Sequence, residues 1–323
     1  MQQRKITLLP QTSSLEDLVK KARAFVQSAK APATLKAYRS DWNHFESCCR
    51  RHQLSSLPST PETVALYITD LASTHASATI TRRLTSITKA HQASGLTLSP
   101  ASTHHFCVGE TLKGIRRTIG TAQHGKDPLL TDDIRRIVRM SRKDLLGLRD
   151  RALTLVGFAG AFRRSELARI EVTNLTFSAR GVAIELVTSK TDQEKAGRKV
   201  GIPFGGKRET CAVLALRGWL KQARIRKGPV FRAVNRWGRL APHGLNKDSI
   251  GRILKRAASR AGMKTDGVAG HSLRSGHVTQ AAMNGVRELI IMRQTGHRTE
   301  KAMRRYIRAG DMFRENAAAG LGI

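Results

Sequence analysis

The sequence predicts a mainly α-helical protein with a small antiparallel β-sheet, built as a helical domain followed by a mixed α+β domain. Three observations predict it. Apolar residues recur at intervals of three and four through the first 120 residues, the spacing of one helix face. Three short strand-like runs cluster between Leu175 and Ile202, with turn residues between them and helical patterns on either side. Between these regions the run GTAQHGKDP, from Gly120 to Pro128, is small, polar and without periodicity, as an interdomain linker is. The expected organisation is a helical domain over 1–120, a linker over 121–128 and a second domain over 129–323. A chain of 323 residues is long enough for two cores.

The first helix is expected over Ser14 to Lys30, where Leu15, Leu18, Val19, Ala22, Phe25 and Val26 share a face and Ser14 with Asp17 resembles a capping box. Leu35, Tyr38, Trp42, Phe45 and Cys49 mark a second helix with basic residues opposite. A third starts near Ser59 to Glu62, where Pro61 suits a first turn and Glu62 the acidic position, and continues through Val64, Ile68 and Leu71. A fourth carries Ile80, Leu84, Ile87 and His91 inward and stops at Gly95; a fifth is expected from about Thr103 to Ile119.

After the linker, Thr131 opens a helix, Asp150 to Gly160 reads as a largely apolar one, and Arg163 to Ile170 is expected to continue helically past the AGAF bend. The strand-like runs are Leu175 to Ser178, Val182 to Val187 and Arg198 to Ile202. Further helices are expected near Cys211 to Arg224, Asp248 to Ala261, His271 to Met283, Arg287 to Gln294 and Thr299 to Ile307.

Lysine and arginine number 57 against 24 acidic residues, a net charge of +33. Such a surplus repels itself unless a polyanion compensates it, so nucleic acid is the expected partner class. Aromatic residues, at 5 %, are too few for a single-strand platform of stacked bases. The four cysteines, Cys48, Cys49, Cys107 and Cys211, lack paired spacing, which reads as a reduced interior. Cys48, Cys49 and His52 have no second ligand pair at a supporting distance, so no metal is expected. No signal peptide or bilayer-length apolar run is visible, and a cytosolic protein without a membrane partner is expected.

Several residues carry possible chemistry. Arg163 precedes Glu166 by three positions, a spacing that suits either a guanidinium held by a carboxylate or an ordinary helical ion pair. Lys190 lies in the turn between the second and third strand-like runs, with Lys195 and Lys199 as competitors; a turn lysine is either a mobile amine brought to a site or solvent-facing decoration. His271 and Arg274 are three apart on an expected helix and can reach one ligand, or form a solvated face. His297 follows Gly296 at a turn, and Tyr306 lies beside Arg304, Arg305 and Arg308. Alone, Tyr306 reads as an aromatic that covers the core while its hydroxyl meets water. Among fixed cations, its phenol is a candidate nucleophile for a phosphodiester.

Taken in order, Arg163, Lys190, His271, Arg274, His297 and Tyr306 resemble the signature of the tyrosine recombinases, the integrase family that includes the phage Cre and bacterial Xer enzymes. HSLR, TGH and a tyrosine nine residues past His297 fall at the family's spacing, and the resemblance covers nearly the whole chain. It implies a core-binding domain followed by a catalytic domain that together clamp duplex DNA. Arg163 and Arg274 would grip the nonbridging phosphate oxygens, with Glu166 orienting the site. Lys190 would protonate the departing 5′ oxygen, His271 would help remove the phenolic proton, and His297 would hydrogen-bond the phosphate. The resemblance implies no cofactor or metal, a homotetramer on paired recombination sites, and a docking helix after Tyr306 that carries Met312, Phe313, Ala317, Ala318 and Leu321. A type IB topoisomerase and a non-catalytic architectural DNA-binding protein stay open as alternatives.

Overall fold

The computed structural model describes residues 14–96, 99–101, 105–122, 125–186, 197–297, 299–300 and 303. The chain forms two compact units, Met1–Gln123 and His124–Ile323.

The first unit is helical: α1 (Leu15–Ser28), α2 (Pro32–Arg51), α3 (Pro61–Ala72), α4 (Ser77–Ala93) and α5 (Phe106–Ile119). Side chains at the ends fix the boundaries. Ser14 Oγ accepts the Asp17 amide at 3.2 Å, and Thr60 Oγ1 accepts the Thr63 amide at 3.2 Å with Pro61 in the first turn. The unit's core joins α2 to α4 and α3 to α5 through Phe45, Tyr67, Ile68, Leu84, Ile87 and Leu112, all buried. Burying each large apolar side chain contributes roughly 1.5–3 kcal/mol. The apolar stripe of α1 takes no part in this core: Leu15, Leu18 and Val26 are exposed.

The second unit begins with α6 (Thr131–Arg139), α7 (Leu145–Ala159) and the five-residue α8 (Arg164–Ala168). The strands β1 (Leu175–Ser178), β2 (Gly181–Leu186) and β3 (Arg198–Pro203) follow, paired antiparallel in the order β1-β2-β3, with Leu175 opposite Ile184 and Leu186 opposite Arg198. Next come α9 (Ala212–Gln222), a hairpin of β4 (Arg232–Val234) and β5 (Leu240–Gly244), α10 (Lys247–Arg260), α11 (Ser272–Met283) and α12 (Glu288–Thr295).

α7 is the axle of this unit, packed against α9, α11, α6, α10 and α8. It is buried on more than one face, which is why its sequence is apolar without a polar stripe. It carries one buried ionic group: Arg149 Nε donates to Asp150 Oδ1 at 2.7 Å, and Arg260 of α10 lies 3.6 Å from the other carboxylate oxygen. Gly276 lets the segment before α6 cross α11 closely, since a Cβ there would stand 1.8 Å from the Leu129 carbonyl oxygen.

Three expectations need correction, and one element went unexpected. α7 starts at Leu145, five residues before Asp150, because the Asp144 carboxylate accepts the Gly147 amide at 2.9 Å and caps the helix there. Arg163 to Ile170 is not one helix: Ala161 takes φ +50°, Arg163 is extended, and only Arg164–Ala168 is helical. The β4–β5 hairpin was not foreseen, because three residues of β4 show no alternation to read. His271 is the residue before α11 and not a member of it. Lys190, Tyr306 and the segment 312–321 lie outside the described residues.

Candidate active site

Three backbone segments meet at Arg274: the bend before α8, the start of α11 and the end of α12. Arg274 lies in the first turn of α11 and is 1 % exposed. Its Nη1 donates to the Ala161 carbonyl and to the Thr295 carbonyl, each at 2.8 Å. A buried guanidinium held by two carbonyls cannot turn away, so its other edge has a fixed direction. The left-handed Ala161 aims its carbonyl at Arg274, which explains why a continuous helix cannot run through this bend.

Nη2 of Arg274 meets His297 Nε2 at 3.0 Å. A guanidinium has only donors, so Nε2 must accept and the imidazole proton sits on Nδ1. That proton points to Thr295 Oγ1 at 2.8 Å, and the Thr295 hydroxyl donates to the Ile291 carbonyl at 2.7 Å. Burial, and then the charges of Arg274, Arg163, His271 and Arg198, pull the His297 pKa down to about 4, so the ring is neutral at neutral pH. Gly296 makes this turn with φ +68°, where its amide reaches back to the Met292 carbonyl and closes α12.

Arg163 stands before α8, where Glu166 holds it twice. One carboxylate oxygen accepts the Arg163 amide at 2.9 Å and the other accepts Nη1 at 2.5 Å. The exposed helical ion pair that the spacing also allowed does not occur, because the Glu166 side chain is 1 % exposed and that of Arg163 15 %. Glu166 thus caps α8 and orients the guanidinium in one arrangement. His271 is exposed at the start of α11, one turn before Arg274.

Arg163, Glu166, His271, Arg274 and His297 are therefore brought together, while Lys190 and Tyr306 fall outside the described residues. Arg198 and Thr295 belong to the same cluster and were not singled out from the sequence. Arg198 could have been found there, since strand alternation puts it on the face of the buried Val200 and Ile202, where a cation is out of place. Arg163 and Arg198 share the Glu166 carboxylate, and Arg274 is held on backbone carbonyls in the same cluster. Such a cluster can hold an anion and stabilise charge that grows on it.

Known proteins match this chain in three ways. The family model of the phage integrase family matches residues 128–312. An integrase/recombinase xerD homolog of Selenomonas ruminantium is 41 % identical over 303 residues, covering 94 % of this chain and 89 % of the relative. The tyrosine recombinase XerC of Myxococcus xanthus is 30 % identical over 310 residues, covering 91 % and 93 %. Among solved structures, the XerH site-specific recombinase bound to palindromic difH substrate has a TM-score of 0.60 at 15 % identity, over 80 % of this chain and 72 % of that one. A lambda integrase dimer bound to a COC' core site has a TM-score of 0.57 at 15 % identity, over 94 % and 97 %. With the family model spanning the second unit's cationic cluster and relatives aligned along more than nine-tenths of the sequence, the chain belongs to the phage integrase family of tyrosine recombinases.

Proposed function

We propose that this enzyme cuts and rejoins duplex DNA at specific sites through a covalent 3′-phosphotyrosine and a Holliday junction, with Tyr306 as the nucleophile. The phenolic oxygen attacks phosphorus, the bond to the 5′ oxygen breaks, and the 5′ hydroxyl leaves with a proton from Lys190, while His271 takes the phenolic proton. A second strand's 5′ hydroxyl reverses the step. Each exchange makes one phosphoester and breaks one, so the cycle balances without ATP.

The observation that carries this reading is the fixed Arg274. Its guanidinium is anchored on two backbone carbonyls, beside Arg163 locked on Glu166, so the charge that develops on the nonbridging oxygens meets donors already in place. His297 fits this role as a neutral ring. When a phosphate takes the Arg274 edge, Nε2 can carry the proton to it, with the Thr295 hydroxyl turning to donate to Nδ1.

In this reading the first unit is the core-binding domain and the second the catalytic domain. Both engage duplex DNA through the charge surplus of +33. Four copies would act on two paired sites in the cytoplasm, associated with the nucleoid when bound, and the segment after Tyr306 would dock within one copy or between copies. Among the described residues no helix is long and apolar enough to cross a membrane.

A substrate nicked near the cleavage site tests the reading, because the short leaving strand diffuses away and traps the covalent complex. The expected result is a protein–DNA band that survives denaturation in the wild type and vanishes in Tyr306→Phe while gel-shift binding persists. Binding without such a band in the wild type would favour an architectural protein. Relaxation of supercoils by a monomer, without strand exchange between sites, would favour a type IB topoisomerase.

A further inference from the structure

We propose that Arg198 is a positioning residue of the strand-transfer site: it holds the Glu166 carboxylate and the Gly296–His297 turn together, so that Arg163 and Arg274 face the same phosphate. The proposal rests on the reading of those two arginines as the phosphate grip.

Arg198 opens β3, opposite Leu186, and its side chain leaves the sheet toward two other elements. Nη1 donates to the Gln294 carbonyl near the end of α12. Nη2 lies 3.5 Å from Glu166 Oε2, the oxygen that also accepts the Arg163 amide. The guanidinium lies against Gly296, where a Cβ would come within 3.1 Å of Nε and 3.2 Å of Cζ. One side chain therefore ties the sheet, the carboxylate that aims Arg163, and the turn that carries His297. Arg198 and Arg274 hold consecutive carbonyls of that turn, those of Gln294 and Thr295.

Stability alone does not account for a cation here. The Arg198 side chain is 18 % exposed, and its buried Nη2 has the ion pair with Glu166 but makes no hydrogen bond. Arg163 lies close enough to oppose its charge, whereas an apolar residue would continue the buried face of Val200 and Ile202. Replacing a buried ion pair by a well-packed apolar group is often neutral or favourable for folding. What an apolar residue cannot do is hold Glu166 and the Gln294 carbonyl at once.

The test compares cleavage of an ordinary phosphodiester with cleavage of a substrate whose scissile phosphate is an uncharged methylphosphonate, using wild type, Arg198→Met, Arg198→Lys and, as reference, Arg163→Ala. On the methylphosphonate the demand for aligned cations falls, so a defect that works through them shrinks. Arg198→Met is expected to bind DNA within about threefold of wild type and to form covalent complex roughly 30–100-fold more slowly on the phosphodiester, as for one misaimed donor. On the methylphosphonate that deficit is expected to shrink to below about fivefold, in parallel with Arg163→Ala. Arg198→Lys, which keeps the charge but not the fork, should fall between, and it serves alone if the methionine variant does not fold.

Wild-type cleavage rates in Arg198→Met, or an equal deficit on both substrates while that of Arg163→Ala shrinks, would overturn the proposal. An Arg163→Ala deficit that is the same on both substrates would instead remove the phosphate-grip reading, and the proposal with it.

Discussion

Each unit of this protein folds around an arginine set among histidines, and the two clusters solve opposite problems. In the helical unit Arg83 donates to His44 Nδ1 at 2.7 Å, to the Tyr67 hydroxyl at 2.9 Å and to His75 Nε2 at 3.1 Å, and Arg82 pairs with Asp41 at 2.6 Å. Two guanidiniums there face one carboxylate, one phenol and two imidazoles, all side chains of the same unit. Burial and the Arg83 charge lower the His44 pKa. That network stays within its own unit, with Arg83 Nε 3.8 Å from Asp41 Oδ1 and not hydrogen-bonded. In the second unit Arg274 is anchored on backbone carbonyls, and Arg163 and Arg198 share the single carboxylate of Glu166. Side-chain acceptors stabilise a fold; backbone anchors with surplus cations prepare a surface for an anion that comes from elsewhere.

The sharpest way to break this contrast is to alter each arginine and read two quantities, cleavage and stability. Arg274→Lys keeps the charge but loses the fork, and covalent complex formation is expected to fall by about 10²–10³, with gel-shift affinity changed only a few-fold. Cleavage near the wild-type rate would show that the anchored edge has no part in the chemistry. Arg83→Met should do the reverse. It takes the Arg83 donor from half-buried His44 and buried Tyr67, while Asp41 keeps Arg82, so the helical unit is expected to lose roughly 1–3 kcal/mol in thermal unfolding. The cleavage rate of DNA already bound should stay within about threefold of wild type, because no reacting group is touched.

Smaller changes sharpen the second cluster. Gly296→Ala puts a side chain on a residue with φ +68° and presses its Cβ to 3.1 Å from Arg198 Nε. About 1–2 kcal/mol of stability and about tenfold in cleavage are the expected losses, measured by denaturant unfolding and by covalent-complex yield. The smallest effect is on pH dependence. His297 is held at about 4 against its ordinary 6.5, so between those values the unfolded chain binds a proton that the folded chain does not. Stability therefore falls as pH drops through that window, and is unaffected by this ring above it. His297→Gln should flatten the curve of urea midpoint against pH between about 6.5 and 4, with His44, also lowered, leaving a residual slope. An unchanged slope would show that His297 is not the half-buried neutral ring described above.

The helices were legible because their apolar periodicity and their caps agree, as at Ser14 with Asp17 and at Thr60 with Pro61. The AGAF bend was legible, but Arg163 was misread as helical because the tertiary partner decides the shape of the stretch from Ala161 to Arg163. Ala161 takes a left-handed conformation while its carbonyl meets Arg274, 113 residues away, and no local pattern carries that information. The start of α7 was missed for the opposite reason, since its capping signal, Asp144, lies outside the apolar run that drew attention. Arg163, Glu166, Arg274 and His297 were legible as an ordered set, although each residue type is common by itself. Arg198 and Thr295 stayed hidden because their roles depend on contacts between β3, α8 and α12 that sequence distance conceals.

The central claim is that a tyrosine oxygen replaces the 5′ oxygen of a DNA strand. Digestion of the trapped covalent complex with nuclease and protease, followed by mass spectrometry of the modified peptide, tests it most directly. The expected product is the peptide containing Tyr306, carrying nucleotide through its phenolic oxygen on a 3′ phosphate. An adduct on any other residue, or one joined to a 5′ phosphate, would contradict the account.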